Sequence, residues 1–273
     1  MPPSSRFWQD LSWPEFRTLP PDTVAVLPVA AIEQHGPHLP VAVDTAINQG
    51  IVARTLEKLP ADAPVLVLPT QAVGLSVEHI RFPGTLTASV ETLLALWTEI
   101  GESVARAGVR RLVILNSHGG QPQIADMVCV RLRGRARLFA VSCTWSRLGK
   151  PAGLDDPGGL HGGLTETSLM LRLQPERVDM RRARNFRSAW LDREAAFPAL
   201  RPQGPVGFGW ETQDLHPAGA LGDASSATAE LGERVLEHAA ARLADLLEQV
   251  RRFDVDTWLR DAPADDGAAP APR

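Results

Sequence analysis

The sequence has few cysteines and no long apolar run, and each absence excludes a class of protein. Two cysteines among 273 residues, without paired spacing, argue against a disulfide framework or a zinc ribbon and fit a reducing compartment. No apolar stretch approaches the ~20 residues needed to span a bilayer. The first residues lack the basic and apolar pattern of a signal peptide. We therefore expect a cytoplasmic protein without a membrane anchor.

The chain also has little net charge and lacks several well-known catalytic and binding motifs. A formal net charge of −4 with 22% charged residues gives no general attraction to nucleic acid or membrane. The phosphate-binding patterns GxGxxG and GxxxxGK[ST] are missing, which weakens the alternative of a nucleotide- or cofactor-binding module without chemistry. The GxSxG elbow of serine hydrolases is also missing.

Apolar segments of strand type alternate with segments of helical spacing along most of the chain. This alternation predicts parallel βαβ units in one α/β domain over residues 1–260, with an Ala/Pro/Asp-rich, disordered tail over 261–273. Asp44, Ser89 and Gly108 are expected to be a helix N-cap, a second N-cap and a helix stop, respectively. The predicted strands cover 23–32, 63–70, 109–116 and 136–145, and the predicted helices cover 44–59, 89–108, 121–134, 163–173 and 227–253.

Histidines and carboxylates cluster at the ends of these predicted elements. The stretch "AAIEQHGPHLPVAVD" ends the first strand, "NSHGGQ" follows the third strand, and "GLHGGLTETS" opens a helix. In parallel sheets, ligands bind beyond the carboxyl ends of the strands. Mixed His and Asp/Glu ligands without cysteine suit Zn²⁺ or Mn²⁺. The candidate ligands are Glu33, His35, Asp44, His118, His161 and Glu166.

Each candidate has a simpler interpretation when it is taken alone. Asp44 fits an ordinary N-cap, Glu33 and His35 fit a solvated strand end, and His118 fits a loop imidazole bound by backbone. These interpretations fail together, because six of the seven histidines lie in loop-like segments beside Gly or Pro. A structural metal site is disfavoured, since such sites are usually closed and rich in cysteine.

Four further residues are candidates for substrate binding. Glu78 and His79, in "SVEHIRFPGT", follow the second strand and are expected to line the pocket, with a surface ion pair as the alternative. Trp145 and Trp210 are suited to wall a flat substrate by stacking, with ordinary core packing as the alternative.

These motifs resemble the creatininase (creatinine amidohydrolase) family. The resemblance rests on "LPVAAIEQHGPHLPVAVDT", "SVEHIRFPGTLT", "NSHGGQ", "HGGLTETSLML" and "GALGDASSATAELG", which occur in family order from about residue 10 to 250. It implies a three-layer α/β/α fold with a mainly parallel sheet, and two divalent metal ions per chain. It also implies hydrolysis of an amide-type C–N bond in a small molecule, and assembly as a homohexamer.

The resemblance also implies roles for individual residues. Glu33, His35, Asp44 and His118 match metal ligands, with Asp44 as the bridging carboxylate. Glu166 matches a further ligand and, with His161, completes the expected catalytic pair. Two ions, Zn²⁺ or Mn²⁺ with Fe²⁺ possible, would share a bridging hydroxide that attacks the amide carbonyl, while His161 serves the leaving nitrogen or the oxyanion.

One motif departs from the family members that act on creatinine. Those members resemble "NGHYEN", with a metal-binding Glu two residues after the His, whereas this chain has Gly120 at that position. "NSHGGQ" is closer to the "NGHGGN" branch, which argues against creatinine as the substrate. A lactone, a formamide or a small peptide, as in mycofactocin-type maturation, remains an alternative.

Overall fold

The fold is built on a four-stranded parallel sheet, as the alternation of strand and helix patterns predicts. The structure is a computed structural model that describes residues 3–156, 158–204 and 206–259. The strand order is β2-β1-β3-β4. The strands are β1 (Val24–Val29), β2 (Val65–Val67), β3 (Arg111–Asn116) and β4 (Phe139–Thr144), and a separate antiparallel pair consists of β5 (Asn185–Phe186) and β6 (Gly222–Asp223).

Helices cover both faces of the sheet and complete a three-layer α/β/α architecture. The helices are α1 (Val43–Lys58), α2 (Val90–Arg106), α3 (Pro122–Ala136), α4 (Leu164–Leu173), α5 (Thr212–Leu215), α6 (Ala229–Arg252) and α7 (Val255–Trp258). Helices α1, α4 and α6 share one apolar core with one face of the sheet, and α2 and α3 share a second core with the other face. This explains why β1 reads as a continuous apolar run, since all six of its residues are buried.

Several predicted element ends are confirmed, and others are wrong. The Ser89 side chain accepts a hydrogen bond from the Thr92 backbone N–H and caps α2, and Gly108 follows the end of α2 with a φ of 88°. The central strands are shorter than predicted, because their outer residues continue into loops. The predicted tail over 261–273 lies outside the described residues. No described helix has the length and apolar character needed to cross a bilayer.

The predicted N-cap role of Asp44 is wrong. Helix α1 begins at Val43, its N-cap is Ala42, and no side chain caps it. Asp44 is therefore the second residue inside the helix, with a carboxylate that is 1% exposed. The N-terminus of a helix favours acidic side chains in the first turn. The Asp44 carboxylate is therefore tolerated in α1, although it faces residues outside the helix.

The strand register brings the candidate ligands to one edge of the sheet. Val29, the last residue of β1, stands opposite Asn116, the last residue of β3. The two following segments therefore leave the sheet at the same level. They carry Glu33 and His35 in one case and His118 in the other.

Gly232 in α6 permits a close contact with α4. A Cβ built at Gly232 would overlap the carbonyl oxygen of Ser168 and lie 2.6 Å from its carbonyl carbon. We expect Gly232→Ala to destabilise the protein by about 3 kcal/mol, at the upper end of overpacking costs, because backbone cannot yield as a flexible side chain does. Urea denaturation followed by circular dichroism measures this change.

Gly134 in α3 is the matched control, since a Cβ built there meets no atom within 4 Å. Gly134→Ala should be neutral or stabilise the protein by up to about 1 kcal/mol through helix propensity. Equal effects of the two substitutions would show that helix propensity, and not the contact with Ser168, decides the outcome at Gly232.

Candidate metal centre

Six buried or partly buried side chains from four parts of the chain meet beyond the carboxyl edge of the sheet. Two follow β1, one lies in α1, one follows β3, and two lie at and before the start of α4. Five of them are at most 7% exposed, and the side chain of Glu166 is 19% exposed. The six are Glu33, His35, Asp44, His118, His161 and Glu166. The structure thus brings together every residue predicted as a metal ligand or catalytic group.

His35 presents one ring nitrogen to the carboxylates of Asp44 and Glu166, with that of Glu33 slightly farther away at 4.0 Å. Its Nδ1–H donates to the backbone carbonyl of Glu33 over 3.0 Å, since a carbonyl only accepts. Its Nε2 is 3.7 Å from Oδ1 of Asp44 and 3.7 Å from Oε2 of Glu166. The Gly162 backbone N–H also donates to Oε2 of Glu166, over 2.6 Å, and fixes that carboxylate. One half of the site therefore consists of one imidazole and two carboxylates.

His118 is arranged in the same way with its ring nitrogens exchanged. Its Nε2–H donates to the backbone carbonyl of Leu75 over 2.6 Å. Its Nδ1 is 3.1 Å from Oε1 of Glu33 and 3.6 Å from Oδ2 of Asp44. Asp44 thus turns one oxygen toward each imidazole, and the two halves of the site share this carboxylate.

His161 lies between the rings of His35 and His79. Ring centroids are 4.1 Å apart in both pairs. Its Nε2–H donates to the backbone carbonyl of Gln34, which leaves Nδ1 without a proton and 3.6 Å from Oε1 of Glu33. Each of these three imidazoles, in His35, His118 and His161, therefore donates one ring N–H to a backbone carbonyl, which turns its other ring nitrogen toward the site.

Burial and mutual attraction shift the pKa values of the site in opposite directions. Burial alone would lower the pKa of both His35 and His118. The Asp44, Glu166 and Glu33 carboxylates instead raise the pKa of His35 to about 9, and Glu33, Asp44 and Glu78 raise that of His118 to about 10. Burial alone would raise the pKa of Glu33, but the neighbouring imidazoles hold it well below its ordinary value.

The remaining groups of the site are shifted toward their neutral forms. Burial is the largest cause for each of them. It raises the pKa of Asp44, and it raises that of Glu166 to about 7. It lowers the pKa of His161 well below 6.5 and that of His79 to about 4. His161 is therefore a neutral imidazole at neutral pH.

The donor set fits divalent metal ions, because several buried polar atoms at its centre have no hydrogen-bond partner. These atoms are both carboxylate oxygens of Glu33, Oδ2 of Asp44 and Nε2 of His35. Buried polar atoms normally have partners, so such a cluster needs an explanation. Among the described residues, ligand atoms lie within 4.8 Å of one another in the groups Glu33–His35–Asp44, His35–His161–Glu166 and Glu33–His79–His161.

The four residues predicted to bind substrate lie in different surroundings. Trp145 is 7% exposed and lines a cavity of about 240 Å³, whose wall also includes His161 and Glu166. His79 and Glu78 approach the candidate ligands themselves, with His79 Nε2 3.5 Å from Oε1 of Glu33 and Glu78 Oε1 3.6 Å from Nε2 of His118. Trp210 is outside the lining of this cavity, and its indole N–H donates to the backbone carbonyl of Pro202 over 2.8 Å.

Sequence reasoning missed two polar residues of the site. The Gln34 side-chain amide donates to the backbone carbonyl of Gly219 over 2.7 Å. The same amide nitrogen lies 2.8 Å from Nδ1 of His79. Its position between Glu33 and His35 in the first motif was the available signal. Lys150 lines the cavity beside Trp145. No motif marks Lys150, because its position depends on the loop after β4.

The chain belongs to the creatininase family, described as creatinine amidohydrolase, which matches residues 9–247. Among curated relatives, it is 36% identical over 234 residues to the mycofactocin precursor peptide peptidase of Mycobacterium tuberculosis (strain ATCC 25618 / H37Rv), covering 84% of each chain. It is 30% identical over 267 residues to the creatinine amidohydrolase of Pseudomonas putida, covering 90% of this chain and 97% of that protein. The predicted family is confirmed.

Solved structures support the same fold. A crystal structure of creatinine amidohydrolase (creatininase) aligns with a TM-score of 0.74 and 29% identity, covering 92% of this chain and 100% of that chain. A structure described as "Creatininase Mn" aligns with the same TM-score and 27% identity, over the same shares of the two chains. The three-layer α/β/α fold is therefore that of the creatininases.

Proposed function

We propose that this chain is a metal-dependent amidohydrolase with a binuclear centre. The observation that carries the proposal is the orientation of Asp44, whose Oδ1 faces Nε2 of His35 at 3.7 Å while its Oδ2 faces Nδ1 of His118 at 3.6 Å. A carboxylate shared in this way between two sets of open ligands is suited to bridge two cations.

The residues divide into two ligand sets that share Asp44. His35, Asp44 and Glu166 would hold one ion, and Glu33, Asp44 and His118 would hold the other. Imidazole and carboxylate ligands without cysteine suit Zn²⁺, Mn²⁺ or Fe²⁺. When bound, two such ions supply a water of lowered pKa and polarise a carbonyl oxygen.

His161 is the candidate for moving a proton. Its Nε2–H is held by the carbonyl of Gln34, and the free lone pair on Nδ1 faces the centre of the site. A neutral imidazole in this position accepts a proton at Nδ1 and passes it to a departing nitrogen. Glu166 lines the same cavity, and burial raises its pKa to about 7. As a member of the His35–Asp44–Glu166 set, it would help to orient the reacting groups.

The cavity beside the site fits a small or terminal group. Its volume is about 240 Å³, and its lining includes the aromatic Trp145, the aliphatic Leu154 and Leu160, and the basic residue Lys150. We infer an amide substrate that places its carbonyl near His161 and a flat or apolar group against Trp145. The oligomeric state implied by the resemblance, a homohexamer, stays a prediction that light scattering tests.

A terminal peptide bond is the second candidate substrate, and two observations favour it. Relatives 36% identical to this chain are named mycofactocin precursor peptide peptidases. Lys150 is also among the residues that line the cavity, and its positive charge would be complementary to a C-terminal carboxylate. Hydrolysis of other bonds is a third candidate, because a 25% identical relative from Thermotoga maritima is named 3-dehydro-scyllo-inosose hydrolase.

The test combines metal analysis with a substrate panel. Protein purified without chelator or nickel resin is expected to hold about two divalent ions per chain by mass spectrometry. The panel contains cyclic amides including creatinine, formamides, lactones, and one peptide with either a free or an amidated C-terminus. We expect metal-dependent turnover of an amide. Turnover of lactones alone, by metal-loaded protein, would overturn the assignment to C–N bonds.

Metal binding is expected to release protons, so apparent affinity should rise between about pH 7 and pH 9. In metal-free protein the pKa values of His35 and His118 are raised to about 9 and 10, so both imidazoles keep a second proton at neutral pH. A cation needs the lone pair that this proton occupies. Titration calorimetry in two buffers of different ionisation enthalpy measures the release. Identical heats in both buffers would contradict the ligand roles of these two histidines.

A further inference from the structure

Glu78 and Gly120 meet in one small space beside His118. Oε1 of Glu78 lies 3.6 Å from Nε2 of His118, on the ring edge that also donates to the carbonyl of Leu75. A Cβ built at Gly120 would lie 2.5 Å from this Nε2 and still closer to Oε1 of Glu78. A side chain at position 120 would therefore overlap both the Glu78 carboxylate and the edge of the His118 ring.

The backbone around Glu78 is fixed by contacts that do not involve its carboxylate. Glu78 lies in the helical turn Val77–His79, and the Thr212 hydroxyl donates to its backbone carbonyl over 3.0 Å. Its side chain is only 12% exposed. The His118 imidazole lies against its carboxylate. A carboxylate held this far from water beside one imidazole is poorly explained as a surface ion pair.

We propose that Glu78 is a positioning residue for His118, and that Gly120 is glycine because it must leave room for the Glu78 carboxylate. The inference rests on the proposed function, because it concerns how His118 would hold its ion. The Leu75 carbonyl fixes the proton on Nε2, and the negative charge of Glu78 favours that proton and increases the donor strength of Nδ1. Outer partners of this kind orient metal-bound imidazoles and tune their basicity.

The proposal predicts an effect on only one of the two ions. Glu78 contacts His118, whereas His35 and Glu166, on the other side of Asp44, have separate partners in the Glu33 carbonyl and the Gly162 N–H. Loss of the Glu78 charge should therefore weaken the binding of the ion held by the Glu33–Asp44–His118 set. A general loss of structure would instead weaken the binding of both ions.

The experiment is a titration of metal-free protein with Mn²⁺ alone. Calorimetry monitors the heat of binding, and electron paramagnetic resonance measures the free Mn²⁺. We expect two ions in the parent protein and, in Glu78→Gln, an affinity weakened about 10–100-fold for one ion. Glu176→Gln is the matched control, because this side chain is 69% exposed and pairs with Arg177. It should bind as the parent does.

Position 120 provides an independent test. Gly120→Ala should weaken the binding of the same ion, because its methyl group would overlap both the Glu78 carboxylate and the His118 ring. Combining it with Glu78→Ala should cost less than the sum of the two single losses, since both substitutions disturb the same imidazole. Unchanged binding of both ions in Glu78→Gln, or additive losses in the double variant, would overturn the positioning role. A parent protein that binds no Mn²⁺ would instead overturn the proposed function, and the inference with it.

Discussion

Replacing Asp44 with alanine is expected to abolish the binding of both ions and with it all metal-dependent hydrolysis. The two oxygens of Asp44 face two different imidazoles, so one substitution removes a ligand from each ligand set. Loss of an outer partner alone commonly weakens metal affinity about 10–100-fold, and loss of a shared direct ligand should exceed that range. Metal content per chain, measured together with turnover on the amide found by the panel, checks the result.

A matched control separates this effect from general damage. Asp245 in α6 has a side chain that is 63% exposed and belongs to a surface pair with Arg242. Asp245→Ala should keep both ions and full turnover, since exposed pairs contribute at most about 1 kcal/mol. If Asp44→Ala kept two ions per chain, the bridging assignment would be wrong, even if its activity fell.

Metal removal is expected to lower the melting temperature by roughly 10–20 °C. Each ion present at 100 times its dissociation constant adds about 2.7 kcal/mol to the stability of the folded state. For a chain of this size, about 1 kcal/mol corresponds to roughly 2–4 °C. Without cations, the buried oxygens of Glu33 and Asp44 that lack partners remain uncompensated. Thermal denaturation after chelation, and again after addition of Mn²⁺ or Zn²⁺, measures the shift.

Asp44→Ala supplies the control for this measurement as well. Because it lacks the shared ligand, its melting temperature should change little when Mn²⁺ is added. An equal shift in parent and variant would mean that the cations stabilise the fold from another place. No shift in the parent would contradict tight binding of metal by the folded site.

The sequence by itself determined the fold class and the set of candidate ligands. Apolar runs such as Val24–Val29 and helical patterns such as Val90–Arg106 are local signals, because strand and helix periods of about 2 and 3.6 residues are set by the backbone. The sequence also predicted that Glu33, His35 and His118 would lie at one site, for a related reason. Parallel strands place the residues that follow them at one edge of the sheet, wherever the strands lie in the chain.

Only the tertiary structure decided how these residues face one another. Asp44 reads as an N-cap from its neighbours, yet the position of α1 over the sheet turns its two oxygens toward two histidines. The contact of Glu78 with His118 joins residues forty positions apart, and it requires that residue 120 have no side chain. Such contacts are set by how loops and layers pack, and packing brings together residues that no local pattern relates.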